Sequence, residues 1–111
     1  MIKISGIVIK GGGQAKELGF PTANLKFSGN LDSGVYAGKV VYKNKTYIAA
    51  IFLGRSKKFL EAHLLEFSGD LYGEEISIEV GEKIRGVINF LNNEELKKQI
   101  EKDIRNVYRY N

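Results

Sequence analysis

The chain has no cysteine, a single proline and a single histidine, and none of its apolar runs approaches the roughly 20 residues that cross a bilayer. Without cysteine there can be no disulfide and no thiolate metal site, which suits a reducing compartment. With one histidine, a Ser-His-Asp relay would have to use His63, no nucleophile elbow accompanies it, and a zinc site has little to draw on. Walker and dinucleotide fingerprints are missing, as are repeats, low-complexity tracts and linkers. The opening stretch MIKISGIVIK is interrupted by Lys3, Ser5 and Gly6, so it reads as a first strand rather than a secretory signal. A cytoplasmic monomer with no membrane partner is the expectation.

What is present is an ordinary globular composition, 43% hydrophobic and 27% charged over 111 residues and 12.4 kDa. A chain of this size buries roughly 65% of its unfolded surface, and one domain over residues 1–111 is expected. The net charge of +4 and pI near 9.3 favour anionic partners. Lysine and arginine are nonetheless scattered in singles and pairs, such as Lys57-Lys58 and Lys97-Lys98, without the block expected of a nucleic-acid-binding tail.

β-branched and aromatic residues cluster in 2–9, 34–43, 46–53, 59–67, 75–80 and 83–90. These runs predict about six strands joined by connections too short for parallel crossovers, hence an antiparallel sheet that closes into a small barrel. Asn44-Lys45 is the expected hairpin turn between two of them. From Asn92 the period changes: Leu96, Ile100, Ile104 and Val107 fall at helical spacing, Glu94-Lys98, Lys97-Glu101 and Glu101-Arg105 form charge pairs four apart, and Asn92 with Glu95 makes a capping box. An amphipathic C-terminal helix should pack on the barrel.

The lone proline stands in GFPTANL, residues 19–25. Proline fixes its own φ and pushes Phe20 toward extended geometry, so the backbone entering Thr22 is stiff. In an extended run Thr22 and Asn24 share a face while Ala23 takes the other, and two oxygens converge. They could hold a hard cation or merely close a turn. The triplet Gly11-Gly12-Gly13, flanked by Lys10 and Lys16, leaves backbone N–H groups open to a phosphate, although a flexible turn has the same composition. In 61–67 alternation places Glu61, His63, Leu65 and Phe67 on one face. His63 reads as a hydrogen-bonded barrel residue, and Glu61 as either a general base at a pocket mouth or a surface acid. Arg85 could stack on a planar ligand, grip a phosphate or be plain surface; Phe90 could wall an aromatic pocket or belong to the core.

In combination these segments are more specific. LGFPTANL after a glycine-rich turn, then GVYAG, EAHLLEF, GDLYGE, an arginine before a phenylalanine, and QIEKDI in a closing helix resemble, in order and spacing, the riboflavin kinase (flavokinase) family from about Gly6 to Ile104. The resemblance implies an all-β fold, a six-stranded antiparallel Greek-key β-barrel with one C-terminal α-helix. It implies transfer of the γ-phosphoryl group of ATP to the terminal ribityl hydroxyl of riboflavin, giving FMN and ADP. Carried over by position, Thr22 and Asn24 would hold Mg²⁺ with the nucleotide phosphates, and Glu61 would be the general base. Gly11, Gly12, Gly13 and Lys16 would form the nucleotide loop, and Arg85 and Phe90 would lie against the flavin. Ala15, Lys16 and the short run 55–59 depart from the usual family pattern, which motivates a second reading, a flavin- or nucleotide-binding module without transfer activity. A third is a basic barrel binding single-stranded nucleic acid, with Tyr36, Tyr42 and Tyr47 as stacking platforms.

Overall fold

A computed structural model describes residues 2–11, 16 and 18–110. Six strands follow in chain order: β1 (Ile2–Ile7), β2 (Ala23–Lys26), β3 (Gly34–Tyr42), β4 (Lys45–Leu53), β5 (Phe59–Leu64) and β6 (Glu75–Arg85), then helix α1 (Asn93–Tyr110). Their spatial order is β1-β6-β3-β4-β5-β2, with every neighbouring pair antiparallel. β3, β4 and β5 form a meander and β6 returns beside β3, which is a Greek key. The two ends of the sheet meet at a bridge in which Ile9 N donates to Asn24 O over 2.9 Å, so the barrel is nearly closed.

Alternation explains the packing. Ala49, Ile51 and Leu53 of β4, Leu60, Ala62 and Leu64 of β5, and Ile76, Ile78 and Val80 of β6 turn inward and are buried with Ala23 and Leu25 of β2. A second, smaller cluster lies on the outer face, where Val107 and Ile104 of α1 pack on Ala37, Ile48, Ala50, Ile84 and Leu65. The helix begins as its sequence predicts: Glu95 N donates to Asn92 Oδ1 at 2.9 Å, Leu91 N donates to Glu95 Oε2 at 3.3 Å, and Glu94 pairs with Lys98 at 3.6 Å.

The strand boundaries differ from the sequence reading in instructive places. The runs 75–80 and 83–90 are not two strands: β6 passes through Gly81-Glu82 without a turn and ends at Arg85. Between Gly38↔Val80 and Val35↔Arg85 it takes five steps to the three of β3, so the extra residues form bulges. Gly81 permits this, because a Cβ there would stand 2.7 Å from Ala37 O. The sixth strand is instead β2, inside the stretch read only as a stiff presenter. The hairpin turn is Lys43-Asn44, one residue earlier than expected, both with positive φ (49° and 64°) as a type I′ turn requires. β5 stops at Leu64; Glu66 has φ 55°, so Leu65 and Phe67 do not continue the Glu61-His63 face. Leu65 joins the cluster under α1, and Phe67 turns edge-on to Tyr42 and Tyr47.

Candidate active site

The site is laid out on the outer face of β2, β5 and β4. Register places Asn24 opposite Glu61 and Glu61 opposite Phe52, so the three form one row across the strands. Thr22, two residues before Asn24, faces the same way, and its Oγ1 stands 3.4 Å from Glu61 Oε1. Ala23 and Leu25 point into the core, as period-two alternation demands. Asn24 is only 6% exposed, with its Nδ2 3.4 Å from Thr22 O. The backbone of Gly11 lies against the Asn24 side chain so closely that a Cβ on residue 11 would occupy the same space.

The segment before β2 is held in place. A carbonyl can only accept, so His63 Nδ1 carries the hydrogen and donates to Pro21 O at 2.8 Å, while Phe20 meets the imidazole edge-on at 5.7 Å. His63 therefore has the bonded, structural place its sequence context suggested, clamping the proline that stiffens Thr22. Burial raises the pKa of Glu61 above the usual carboxylate value, and the Thr22 hydroxyl partly offsets the rise.

Two cavities adjoin this row. The larger, about 1040 Å³, is walled by Phe20, Phe52, Phe59, Ile88 and Phe90 and takes in Glu61, His63 and Arg85. The smaller, about 320 Å³, runs along Lys16, Pro21, Asp70 and Tyr72. Both are bordered by Lys10, Gly11, Thr22 and Asn24, so these residues form the shared boundary, while Glu61 faces only the larger space. Lys10 Nζ lies 5.9 Å from the Tyr72 ring centroid at the edge of the smaller cavity.

Arg85 has a partner that its own strand context did not reveal. Its Nε and Nη2 donate to Asp103 Oδ1 and Oδ2 at 2.9 and 2.7 Å, and Nη1 donates to Gly86 O at 2.9 Å. Asp103, 4% exposed, also accepts from Gln99 Nε2 at 2.9 Å. Its signal was in the sequence: seven residues after Leu96 and four before Val107, it is an acid on the apolar face of the helix. Phe52 and Asn89, the latter accepting from Arg55 Nη1 at 2.8 Å, were likewise not singled out. Of the glycine triplet, Gly11 borders both cavities, and Gly12 and Gly13 lie outside the described residues.

The arrangement can seat two ligands end to end. The larger cavity offers aromatic walls with a carboxylate, and the smaller offers lysines and a tyrosine. Among the described residues no group of three or more His, Cys, Asp or Glu side chains could enclose a metal. The oxygens of Thr22 and Asn24 do fit a hard cation that takes its other ligands from water and phosphate, and the Gly11 cradle leaves the Asn24 amide room beside the boundary.

A riboflavin kinase family model matches residues 1–111. A bifunctional riboflavin kinase/FMN adenylyltransferase of Buchnera aphidicola is 37% identical, covering 96% of this chain and 38% of that protein. An RNA-binding riboflavin kinase of Bacillus subtilis is 37% identical, covering 94% of this chain and 49% of that protein. The chain thus spans less than half the length of these curated relatives. The crystal structure of riboflavin kinase from Trypanosoma brucei superposes with a TM-score of 0.75 at 23% identity, over 97% of this chain and 75% of that one, and shares the fold.

Proposed function

The chain belongs to the riboflavin kinase family, and from that premise we propose that it transfers the γ-phosphoryl group of ATP to the terminal ribityl hydroxyl of riboflavin. The observation that carries this reading is a half-buried carboxylate, Glu61, in register with Asn24 and beside Thr22, on the acceptor side of the boundary between two cavities. Riboflavin occupies the larger cavity, its ring among Phe52, Phe59, Phe90 and Arg85. ATP occupies the smaller one, its phosphates near Lys10, Gly11 and Lys16.

The chemistry needs little from the protein beyond position and charge. As the ribityl oxygen bonds to the γ-phosphorus, the bond to the β,γ-bridging oxygen breaks and ADP leaves. The hydroxyl proton passes to the Glu61 carboxylate. Phosphoryl transfer has a loose, highly charged transition state, so holding the two oxygens in line accounts for most of the rate, and a base adds to it. Thr22 and Asn24 would hold Mg²⁺, which when bound neutralises phosphate charge. Neutral donors suffice because the nucleotide brings the negative charge.

Incubation with riboflavin, ATP and Mg²⁺, followed by chromatography, tests the reading: FMN and ADP should appear in equal amounts. Riboflavin binding without FMN would reduce the protein to a binding module. The tyrosines of the nucleic-acid reading are partly engaged within the fold. Tyr36 is 5% exposed with its hydroxyl donating to Asp32 O at 2.6 Å, and Tyr42 and Tyr47 pack on Phe67.

A further inference from the structure

We propose that Asp103 and Gln99 of α1 are positioning residues for the flavin: they fix the Arg85 guanidinium on the wall of the larger cavity, so the helix sets that cavity's affinity for a planar ring. The proposal rests on the riboflavin reading of this cavity. Arg85 and Asp103 both line it, and the pair is bidentate with side chains 16% and 6% exposed. Gln99, one helical turn earlier, donates to the same carboxylate and fixes its orientation. Three elements therefore converge on one guanidinium: β6 supplies it, α1 holds it, and its own Nη1 ties down Gly86, where the segment carrying Ile88 and Phe90 begins.

This pairing also settles what Arg85 is suited to contact. Its charge is already matched by Asp103, so it is a poor phosphate grip. What it offers is a flat surface and the second N–H of each terminal nitrogen, which suit an aromatic ring bearing carbonyl acceptors. An arginine held in advance loses less side-chain freedom when the ligand arrives, and that saving appears as affinity. A pair that merely stapled the helix to the barrel would have no reason to line the cavity, nor a second helix residue directed at its carboxylate.

The test is a titration of the full chain monitored by quenching of riboflavin fluorescence. Calorimetric titration with ADP and thermal melting run in parallel on the parent, Gln99→Leu and Asp103→Asn. Gln99→Leu should weaken riboflavin binding about threefold and Asp103→Asn about tenfold or more, with ADP affinity held within about twofold. Riboflavin affinity unchanged in both variants overturns the proposal, as does a parallel loss of riboflavin and ADP binding together with the melting temperature. Should Asp103→Asn fail to fold, Gln99→Leu decides alone, because it leaves the ion pair in place. A parent that does not bind riboflavin sinks the functional reading as well; a parent that binds, with indifferent variants, sinks only the role of the helix.

Discussion

Replacing Glu61 by glutamine separates catalysis from folding, because the site sets the two against each other. The substitution preserves shape and leaves an acceptor oxygen for the Thr22 hydroxyl, now 3.4 Å away, so binding of both substrates should survive. What is lost is the proton acceptor. Base catalysis contributes about 10²–10⁴-fold, or about 2.7–5.4 kcal/mol of activation free energy, and kcat should fall by that factor. Stability should move the other way. Burial raises the folded-state pKa of Glu61, so between its unfolded and folded values the native protein holds more protons than the unfolded chain, and stability falls as pH rises through that window. Above the window the ionised carboxylate carries its full desolvation cost; below the ordinary glutamate value of 4.5 both states are protonated and the cost is gone. The variant should therefore melt higher than the parent at neutral pH, with the gain vanishing in acid. The parent's kcat/KM should show an acid limb with its midpoint above 4.5, and the limb should disappear in the variant. Melting curves and FMN production across a pH series measure both. A variant within about twofold of the parent in kcat, or one that keeps the acid limb, would remove Glu61 from the mechanism.

Other substitutions test the parts that hold this carboxylate in place. Thr22→Val and Asn24→Ala should raise the Mg²⁺ concentration needed for half-maximal FMN formation; an unchanged metal requirement counts against both as donors. His63→Phe keeps the packing on Phe20 but removes the hydrogen bond to Pro21 O, so it should cost about 0.5–1.5 kcal/mol in denaturant unfolding and lower kcat more than it raises either KM. Gly38→Ala would drive a Cβ into Glu79 O of the paired strand and to 2.8 Å from Ile51 Cγ1, with no flexible atom to yield on the backbone side. A loss of about 1–3 kcal/mol, seen as a lower melting temperature, is expected; an unchanged value would mean that β3 and β6 can separate at that point.

The sequence showed most clearly those features in which local chemistry and tertiary structure agree. The barrel strands rich in β-branched residues, the capped helix and the shared face of Thr22 and Asn24 are all of this kind. It misled where a local signal was outvoted by pairing. Gly81 reads as a strand end, but in the barrel it is the residue that lets β6 bulge past Ala37. Ala23–Lys26 is short and begins beside a proline, so by itself it does not declare a strand; pairing with β5 makes it one. The Glu61–Asn24 row was out of reach for the same reason, since cross-strand register joins residues far apart in the chain. Asp103 shows a different failure. Charge pairs four apart drew attention to the wet side of the helix, and an acid on its dry side, which could only be there with a buried cation, passed unnoticed.

These placements divide the labour of the proposed reaction between two kinds of structure. Asn24 and Glu61 of the transfer row belong to β2 and β5, whose alternate side chains form the packed core, so these two can shift only if Ala23, Leu25, Leu60 and Ala62 shift too, and Thr22 directly precedes β2. That rigidity suits a step in which two oxygens must line up about a phosphorus atom. The walls of the larger cavity, by contrast, combine Phe20, Phe52 and Phe59 with the segment after β6 and with α1, and these last two reach the barrel through an ion pair and a small satellite cluster. Changes at Thr22, Asn24 and Glu61 should therefore act on kcat, and changes at Asp103 and Gln99 of α1 should act on the affinity for riboflavin. The boundary residues Lys10 and Gly11 belong to neither group. They border both cavities, and so can affect both substrates at once.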